Sequence, residues 1–411
     1  MGARSIAVGS WATVAMMLAP ALLLAGGLGY TSVSRAVGSD HPFVVPAAVH
    51  PRSFSCSSSG LCVGDVRTAY NFTSAVTNRQ LNGTGETIVI VDACGDSKLA
   101  SDLTAFDKGM GIPDPKLTVL RYSTAGGLCS NSGWSLETAL DVEWSHAVAP
   151  GAAIEMIEGN SPTNSALYGA WGYALSHHLG NQISNSWGGT SSCGSKATSL
   201  LNTAATAHVT VLASAGDSGA WGSGTFQGSQ SPADCLKILT VGGTTLSLGS
   251  GSTYSSESAW SGSGGGYAGS TSEPSYESTV KISDSYKELA KPEVAAVADP
   301  STGVWVYDTA YGGWNVVGGT SVACPIWAGL TADVNSLRAA NGFAAAGSYG
   351  AYLFLHVYGI SGGSGNYSAE LHDVTSGSNG WSAGTGWDPA TGLGSMNAYP
   401  FIQQLGSDSS A

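Results

Sequence analysis

The chain runs to 411 residues, 43% of them apolar, with only 10% Asp, Glu, Lys and Arg, where about 25% is ordinary for a soluble protein. It is long enough to bury a full core, and its formal charge of −13 with no Lys- or Arg-rich run argues against a nucleic-acid partner, because phosphate binding needs clustered cations. Protonating every carboxylate would leave 15 Lys and Arg and 8 His as the positive charge, so self-repulsion in acid is mild, although a neutral Ser/Gly-rich extracellular surface has the same composition.

Residues 11–29 are nearly free of charge, follow Arg4, and lead to Ser34-Arg35-Ala36, with small residues where a signal peptidase cuts. Residues 1–36 read as a signal peptide, or as an N-terminal membrane anchor if retained, though Pro20 and several glycines weaken a bilayer span. A secreted protein is expected, touching a membrane only through that segment. A short propeptide remnant or linker is expected over 37–61, the main domain over 62–405 and a tail over 406–411.

Seven cysteines in an exported chain predict disulfides with one thiol left over. Cys324, in a segment that reads as buried, is the expected odd one. Joining sequence neighbours among the rest gives Cys56–Cys62, Cys94–Cys129 and Cys193–Cys235, with other pairings open.

Short β-branched runs at Thr87–Val91, Leu117–Arg121, Ala153–Ile157, Gln182–Asn185, Val209–Ala213, Ile238–Val241 and Val304–Tyr307 alternate with helical stretches. Most lack polar alternation, which predicts an α/β fold with a largely parallel central sheet and helices on both faces. Active sites in such sheets gather at the carboxyl ends of the strands. Asp92, Ser186 and Asp217 fall there.

The stretch from Trp134 to Trp144 reads as a helix capped by Ser135 and ended by Pro150-Gly151. Glu137 and Asp141, one turn apart, share a face, and Glu143 and His146 point elsewhere. If that face is buried the two carboxyls share a proton in acid, whereas on an exposed first turn they would only complement the helix dipole. Asp217 follows the apolar strand Val211-Leu212-Ala213 in a tight turn between Gly216 and Gly219, where an Asp also serves as an ordinary turn former. Leu246 to Ser272, dominated by Ser and Gly with Tyr254, Trp260 and Tyr267 interspersed, reads as an ordered surface loop, the alternative being a linker.

Gly319-Thr320-Ser321-Val322-Ala323-Cys324-Pro325 sets a serine behind a small Gly-Thr pair and ahead of an apolar stretch able to run as a helix. A serine hydroxyl attacks only when a base takes its proton. No histidine is suitably placed, so Glu137 and Asp141 are the best candidates.

Glu-x-x-x-Asp on a helix, Ser-Ala-Gly-Asp-Ser-Gly and Gly-Thr-Ser-x-x-x-Pro, in that order, resemble the sedolisin family, the serine-carboxyl peptidases with a subtilisin-like fold. The resemblance covers roughly residues 62–405. It implies an acid-active endopeptidase that hydrolyses polypeptides through an acyl-enzyme, with Ser321 as nucleophile, Glu137 as general base and acid, Asp141 orienting Glu137, and Asp217 lining the oxyanion hole. A carboxyl group can serve in such a hole only when protonated, since it must donate to the developing oxyanion. Ser186, Trp187 and Gly188 resemble the segment whose backbone pairs with an extended substrate, although Asn185 departs from it. Asp373, Val374, Gly384, Gly386 and Asp388 resemble the family's site for one structural calcium ion, with hard oxygen ligands throughout.

Family members usually carry a long folded prodomain, whereas about 25 residues lie between the expected leader and Cys62, which leaves maturation open. A monomer is expected. Two competing readings are a subtilisin-type protease using His146 and, in another class, a non-catalytic surface protein that binds peptides or glycans on the same fold.

Overall fold

The computed structural model describes residues 41–46, 54–56, 60–123, 127–129, 131–189, 192–221, 230–282, 285–359 and 366–410. The leader expected over 1–36 lies outside them.

Ile88, Val89, Ile90 and Val91 have no exposed surface, as an unbroken apolar run requires when a strand is covered on both faces. They belong to Thr87–Ala93 in an eight-stranded sheet. From one edge it runs Leu117–Tyr122, Ala153–Gly159, Thr87–Ala93, Gln182–Ser184, Thr210–Ser214, Leu239–Leu248 and Tyr254–Ala259, with Val294–Val297 also paired to Leu239–Leu248. Every pairing is parallel except that of Tyr254–Ala259.

Side-chain alternation divides the core. Ile88 and Ile90 join the cluster under helices Ser132–Val148, Thr320–Ala340 and Ala398–Ser407. Val89 and Val91 join the cluster under Asn164–Ser176 and Ser195–Thr206. The expected α/β sheet with helices on both faces is therefore present.

Two expectations need correction. Val304–Asp308 is not in the central sheet: it pairs antiparallel with Gly313–Gly318. The turn between them contains Gly312 at φ +85° and Gly313 at φ +103°, a left-handed backbone that glycine adopts readily, so the chain folds back into a hairpin. The stretch 246–272 is not a loop throughout, since Tyr254–Ala259 forms the antiparallel edge of the main sheet and Gly266–Ser272 pairs with Glu288–Lys291. Serine and glycine carry little strand propensity, and tertiary pairing decides here instead.

The described disulfides are Cys56–Cys62, Cys94–Cys129 and Cys193–Cys235, and Cys324 is a buried free thiol. Within the stretch 37–61, His41–Pro42 pairs antiparallel with Trp187–Gly188, and Val45–Pro46 with Val317–Gly318. At the other end, the last helix runs to Ser407, and Arg338 Nη1 donates to the carbonyls of Leu405 and Asp408, each at 2.8 Å. Among the described residues no helix is long and apolar enough to cross a membrane.

Candidate active site

The acidic helix starts at Ser132, earlier than the expected Ser135 cap. Asn131 is the cap, its side chain accepting from Gly133 N at 2.8 Å, while Ser135 lies within the helix and donates to Asp308 Oδ1 at 3.3 Å. Every residue from Trp134 to Ala149 is buried, so the exposed acidic turn is ruled out. The helix sits under the hairpin, where Trp144 Nε1 donates to Trp305 O and Tyr307 N to Glu143 Oε2, both at 3.0 Å.

Glu143 and His146 face away from the serine, as expected. His146 Nε2 lies 2.7 Å from Pro113 O and 3.5 Å from Asp107 Oδ1, and burial lowers its pKa to about 4. An imidazole held there cannot activate Ser321.

Glu137 and Asp141 point the other way and have no exposed surface. Burial, then the charges of Asp141 and Asp92, hold the Glu137 carboxyl well above the usual carboxylate range, and proximity to Ser321 opposes this. Neither Glu137 oxygen completes a hydrogen bond. Asp141 Oδ1 accepts from Ser186 Oγ at 2.7 Å, while its Oδ2 is unpartnered. Its pKa is likewise raised, by burial first and then by Asp92. A proton held between such carboxyls supplies the donor that their surroundings lack.

Ser321 is the second residue of its helix, so its N–H has no intrahelical acceptor. Its Oγ lies 3.5 Å from the carbonyl of Ser186. Asp217 approaches from the end of strand Thr210–Ser214. Its Oδ1 accepts from Thr320 N at 2.8 Å and Thr320 Oγ1 at 2.9 Å, and its Oδ2 has no partner. Burial raises this carboxyl to about 7 despite the bonds from Thr320. Between the two stands Gly319 at φ +105°, where a Cβ would lie 2.6 Å from Asp217 Oδ2, so a side chain there would close the site.

Sequence reasoning placed Asp92 at the strand ends where active sites gather but gave it no chemical role. It ends an apolar strand, has no exposed surface and forms no completed hydrogen bond, and burial raises it to about 7. A charged residue closing an unbroken apolar run was the available signal. Asn185, the departure from the expected pattern, accepts from Trp171 Nε1 and donates to Leu212 O at 2.9 Å, which ties the strand end down. Trp187 is fully buried and donates to Val91 O at 2.6 Å. The backbones of Trp187 and Gly188 are paired with Pro42 and His41.

The five residues of the expected calcium site come together. Gly386 N donates to both oxygens of Asp373 at 3.1 Å, and Gly384 N to Asp388 Oδ2 at 3.1 Å. Ala390 N and Thr391 N hold Asp388 Oδ1 at 2.9 Å, and Thr391 Oγ1 bonds both Asp388 Oδ2 and, at 3.5 Å, Val374 O. Burial lifts Asp388 to about 6. Among the described residues neither carboxylate has an ion-pair partner, but Asp388 accepts two hydrogen bonds on each oxygen and Asp373 Oδ1 accepts from both Gly386 N and the Tyr367 hydroxyl, so an ion would take the place of some of these donors. Two carboxylates are oxygen donors of the kind a hard cation takes.

The subtilase family model matches residues 124–346. The chain is 28% identical over 367 residues to sedolisin of Pseudomonas sp. (strain 101), covering 80% of this chain and 58% of that protein. It is 30% identical over 389 residues to kumamolisin of Bacillus sp. (strain MN-32), covering 86% and 65%. The chain thus spans less than two thirds of the length of these curated relatives. The solved structure of Pseudomonas sedolisin, a serine-carboxyl proteinase complexed with two molecules of pseudo-iodotyrostatin, matches with a TM-score of 0.72 at 26% identity, covering 86% of this chain and 100% of that one. With the fold, the acidic constellation and these relatives in agreement, the chain belongs to the subtilase family and stands with the sedolisins within it.

Proposed function

We propose that this chain is a secreted, acid-active serine-carboxyl endopeptidase. The observation that carries the reading is the burial of Glu137 and Asp141 beside Ser321, with His146 held elsewhere. Ser321 Oγ attacks a peptide carbonyl and passes its proton to Glu137. Asp141, fixed by Ser186, shares proton and charge with Glu137 and orients it. The oxyanion is met by the Ser321 N–H and by a protonated Asp217 Oδ2, which donates only while the carboxyl keeps its proton. Glu137 then protonates the leaving amine, and water, deprotonated by the same group, releases the acyl-enzyme.

Endopeptidase action is favoured because extended chain pairs with the cleft on both sides of the serine, at Trp187–Gly188 and at Val317–Gly318. Three disulfides support export. One calcium ion held by the carboxylates of Asp373 and Asp388 and the carbonyls of Val374, Gly384 and Gly386 would cross-link the C-terminal loop to the body. The enzyme acts as a monomer.

The test is hydrolysis of a denatured protein at pH 4 by the wild type beside Ser321→Ala and Glu137→Gln. Each replacement is expected to cost roughly 10³-fold or more in kcat/KM. A Ser321→Ala protein that still cleaves would end the reading.

A further inference from the structure

Asp96, Asp102 and Asp308 come from three separate segments and meet beside the start of the acidic helix. Asp96 lies in the loop that follows strand Thr87–Ala93, Asp102 in helix Leu99–Met110, and Asp308 closes strand Val304–Asp308. One oxygen from each lies within 4.8 Å of the others. The three residues are 8%, 2% and 0% exposed, so bulk water does little to screen their charges from one another.

The protein supplies donors to most oxygens of this cluster and leaves two without any. Asp102 accepts from Thr309 N at 2.8 Å and from Thr309 Oγ1 at 2.6 Å. Asp96 Oδ1 accepts from Lys98 N at 2.8 Å, and Asp308 Oδ1 from Ala310 N at 2.7 Å and Ser135 Oγ at 3.3 Å. Asp96 Oδ2 and Asp308 Oδ2 are buried with no hydrogen-bond partner. A carboxylate oxygen in that state has lost its hydration and gained nothing in return.

A neighbouring acid shows the contrast. Glu158 is paired with Arg121 at 3.0 Å, whereas among the described residues no Lys, Arg or His pairs with Asp96, Asp102 or Asp308. Burial, joined by the charges of Asp308, Asp102 and Glu158, pushes the Asp96 carboxyl up to about 6 despite the bond from Lys98. Buried acids without a counter-charge, two of them with an oxygen that meets no donor, are arranged as the ligands of a cation are.

The spacing and the donor type identify the kind of ion. Calcium–oxygen bonds of about 2.3–2.6 Å set ligands on opposite sides of the ion about 4.6–5.2 Å apart, so three oxygens within 4.8 Å of one another can all reach one calcium. Every donor is a carboxylate oxygen, which suits a hard cation and offers a soft one neither sulfur nor imidazole.

We propose that Asp96, Asp102 and Asp308 bind a calcium ion at a second site, weaker than that of the C-terminal loop. Three protein ligands, against five there, leave the rest of the coordination to water, so this site fills in the range of roughly 10⁻⁴–10⁻³ M typical of extracellular calcium modules. The ion joins the loop after the Asp92 strand, helix Leu99–Met110 and the Val304–Gly318 hairpin. Through the bond from Ser135 to Asp308 it also braces the acidic helix two residues before Glu137.

The experiment titrates calcium chloride at pH 7 into the full chain carrying Asp388→Asn, which takes the C-terminal site out of the count. Binding is read by calorimetry over roughly 0.1–10 mM calcium, a span that brackets the extracellular range, and Tm is followed alongside. One calcium per chain is expected, with a Tm that rises over the same span. Asp308→Asn, and Asp96→Asn, whose amide oxygen can still accept from Lys98 N, are each expected to weaken binding by roughly tenfold or more through loss of a charged ligand. A folded Asp388→Asn chain that takes up no calcium over this span would overturn the proposal and leave protons as the cluster's only counter-charge. Uptake unchanged by Asp96→Asn and Asp308→Asn would overturn it as well. Should Asp308→Asn fail to fold, Asp96→Asn decides alone, because the Asp96 carboxyl accepts a single hydrogen bond.

Discussion

Asp217 Oδ1 accepts both the backbone N–H and the hydroxyl of Thr320, at 2.8 and 2.9 Å, which leaves Oδ2 as the oxygen available to a substrate. Thr320 is itself braced, its carbonyl accepting from Ser214 Oγ and its hydroxyl from Gly216 N, both at 3.0 Å. The residue before the nucleophile thus aims the carboxyl beside it.

This geometry makes the alkaline limb of activity a property of Asp217. Its carboxyl is raised to about 7 by burial, so kcat/KM should fall as pH rises through that region, because the ionised group repels the oxyanion it must stabilise. Asp217→Asn keeps an acceptor for Thr320 and offers an amide donor that does not ionise. Activity at pH 4 is expected to drop by roughly 10–10²-fold, less than the roughly 10²–10³-fold cost of removing an oxyanion donor outright because an amide N–H remains, and the residual rate should no longer decline through pH 7. An unchanged alkaline limb in that variant would assign the limb to another group.

Asp92 offers a separate control. Its charge raises both Glu137 and Asp141. Asp92→Asn removes one of three mutually repelling carboxyls, so the other two should ionise more readily. The acid limb of kcat/KM is expected to move to lower pH by about half a unit to one unit, in the direction set by loss of a like charge. A purely structural role would lower kcat with the limb in place, and the pH–rate profile distinguishes the two.

Much of this arrangement was legible in residue order because it rests on local rules. Glu137 and Asp141 share a face through helical spacing alone, and the apolar runs marked the buried parallel strands. What was hidden depended on contacts distant in sequence. Asp92 joins the cluster only because its strand lies beside Gln182–Ser184 in a parallel register, and serine-rich Tyr254–Ala259 becomes a strand only because Leu239–Leu248 presents an open edge. Phe43 illustrates the limit most sharply. Nothing local marks it, and its position follows from two strand pairings with residues about 145 and 275 positions later in the chain.

Calcium should contribute to stability through the C-terminal loop. Asp388 is raised to about 6 by burial despite four hydrogen bonds, and a divalent cation would favour its charged form. At saturating calcium, a hundred times the dissociation constant, the native state gains about 2.7 kcal/mol. Chelation at pH 6 is therefore expected to lower Tm by roughly 3–4 °C, with recovery on adding calcium and no response in Asp388→Asn. A Tm indifferent to chelator, with no calcium found in the purified protein, would remove the ion from the account.

The buried acids also set how stability depends on pH. Burial raises Asp92, Asp217 and Glu370 to about 7 and Asp107 and Glu277 to about 8. Between the ordinary carboxyl range and these values the native state holds protons that the unfolded chain has lost, so stability falls as pH rises. Burial lowers His146 and His372 to about 4, and for them the unfolded chain binds more protons between about 4 and 6.5, so their contribution rises with pH over that interval. Five carboxyls outweigh two imidazoles and continue to act above the histidine window. Thermal unfolding is therefore expected to show a Tm roughly 5–10 °C higher at pH 4.5 than at pH 8. Replacing Asp107 with Asn should flatten the slope, since an amide at that buried position has no proton to lose. A Tm that climbs steadily toward pH 8 would mean that these carboxyls are already ionised in the native protein, and the protonated Asp217 required for catalysis would fall with them.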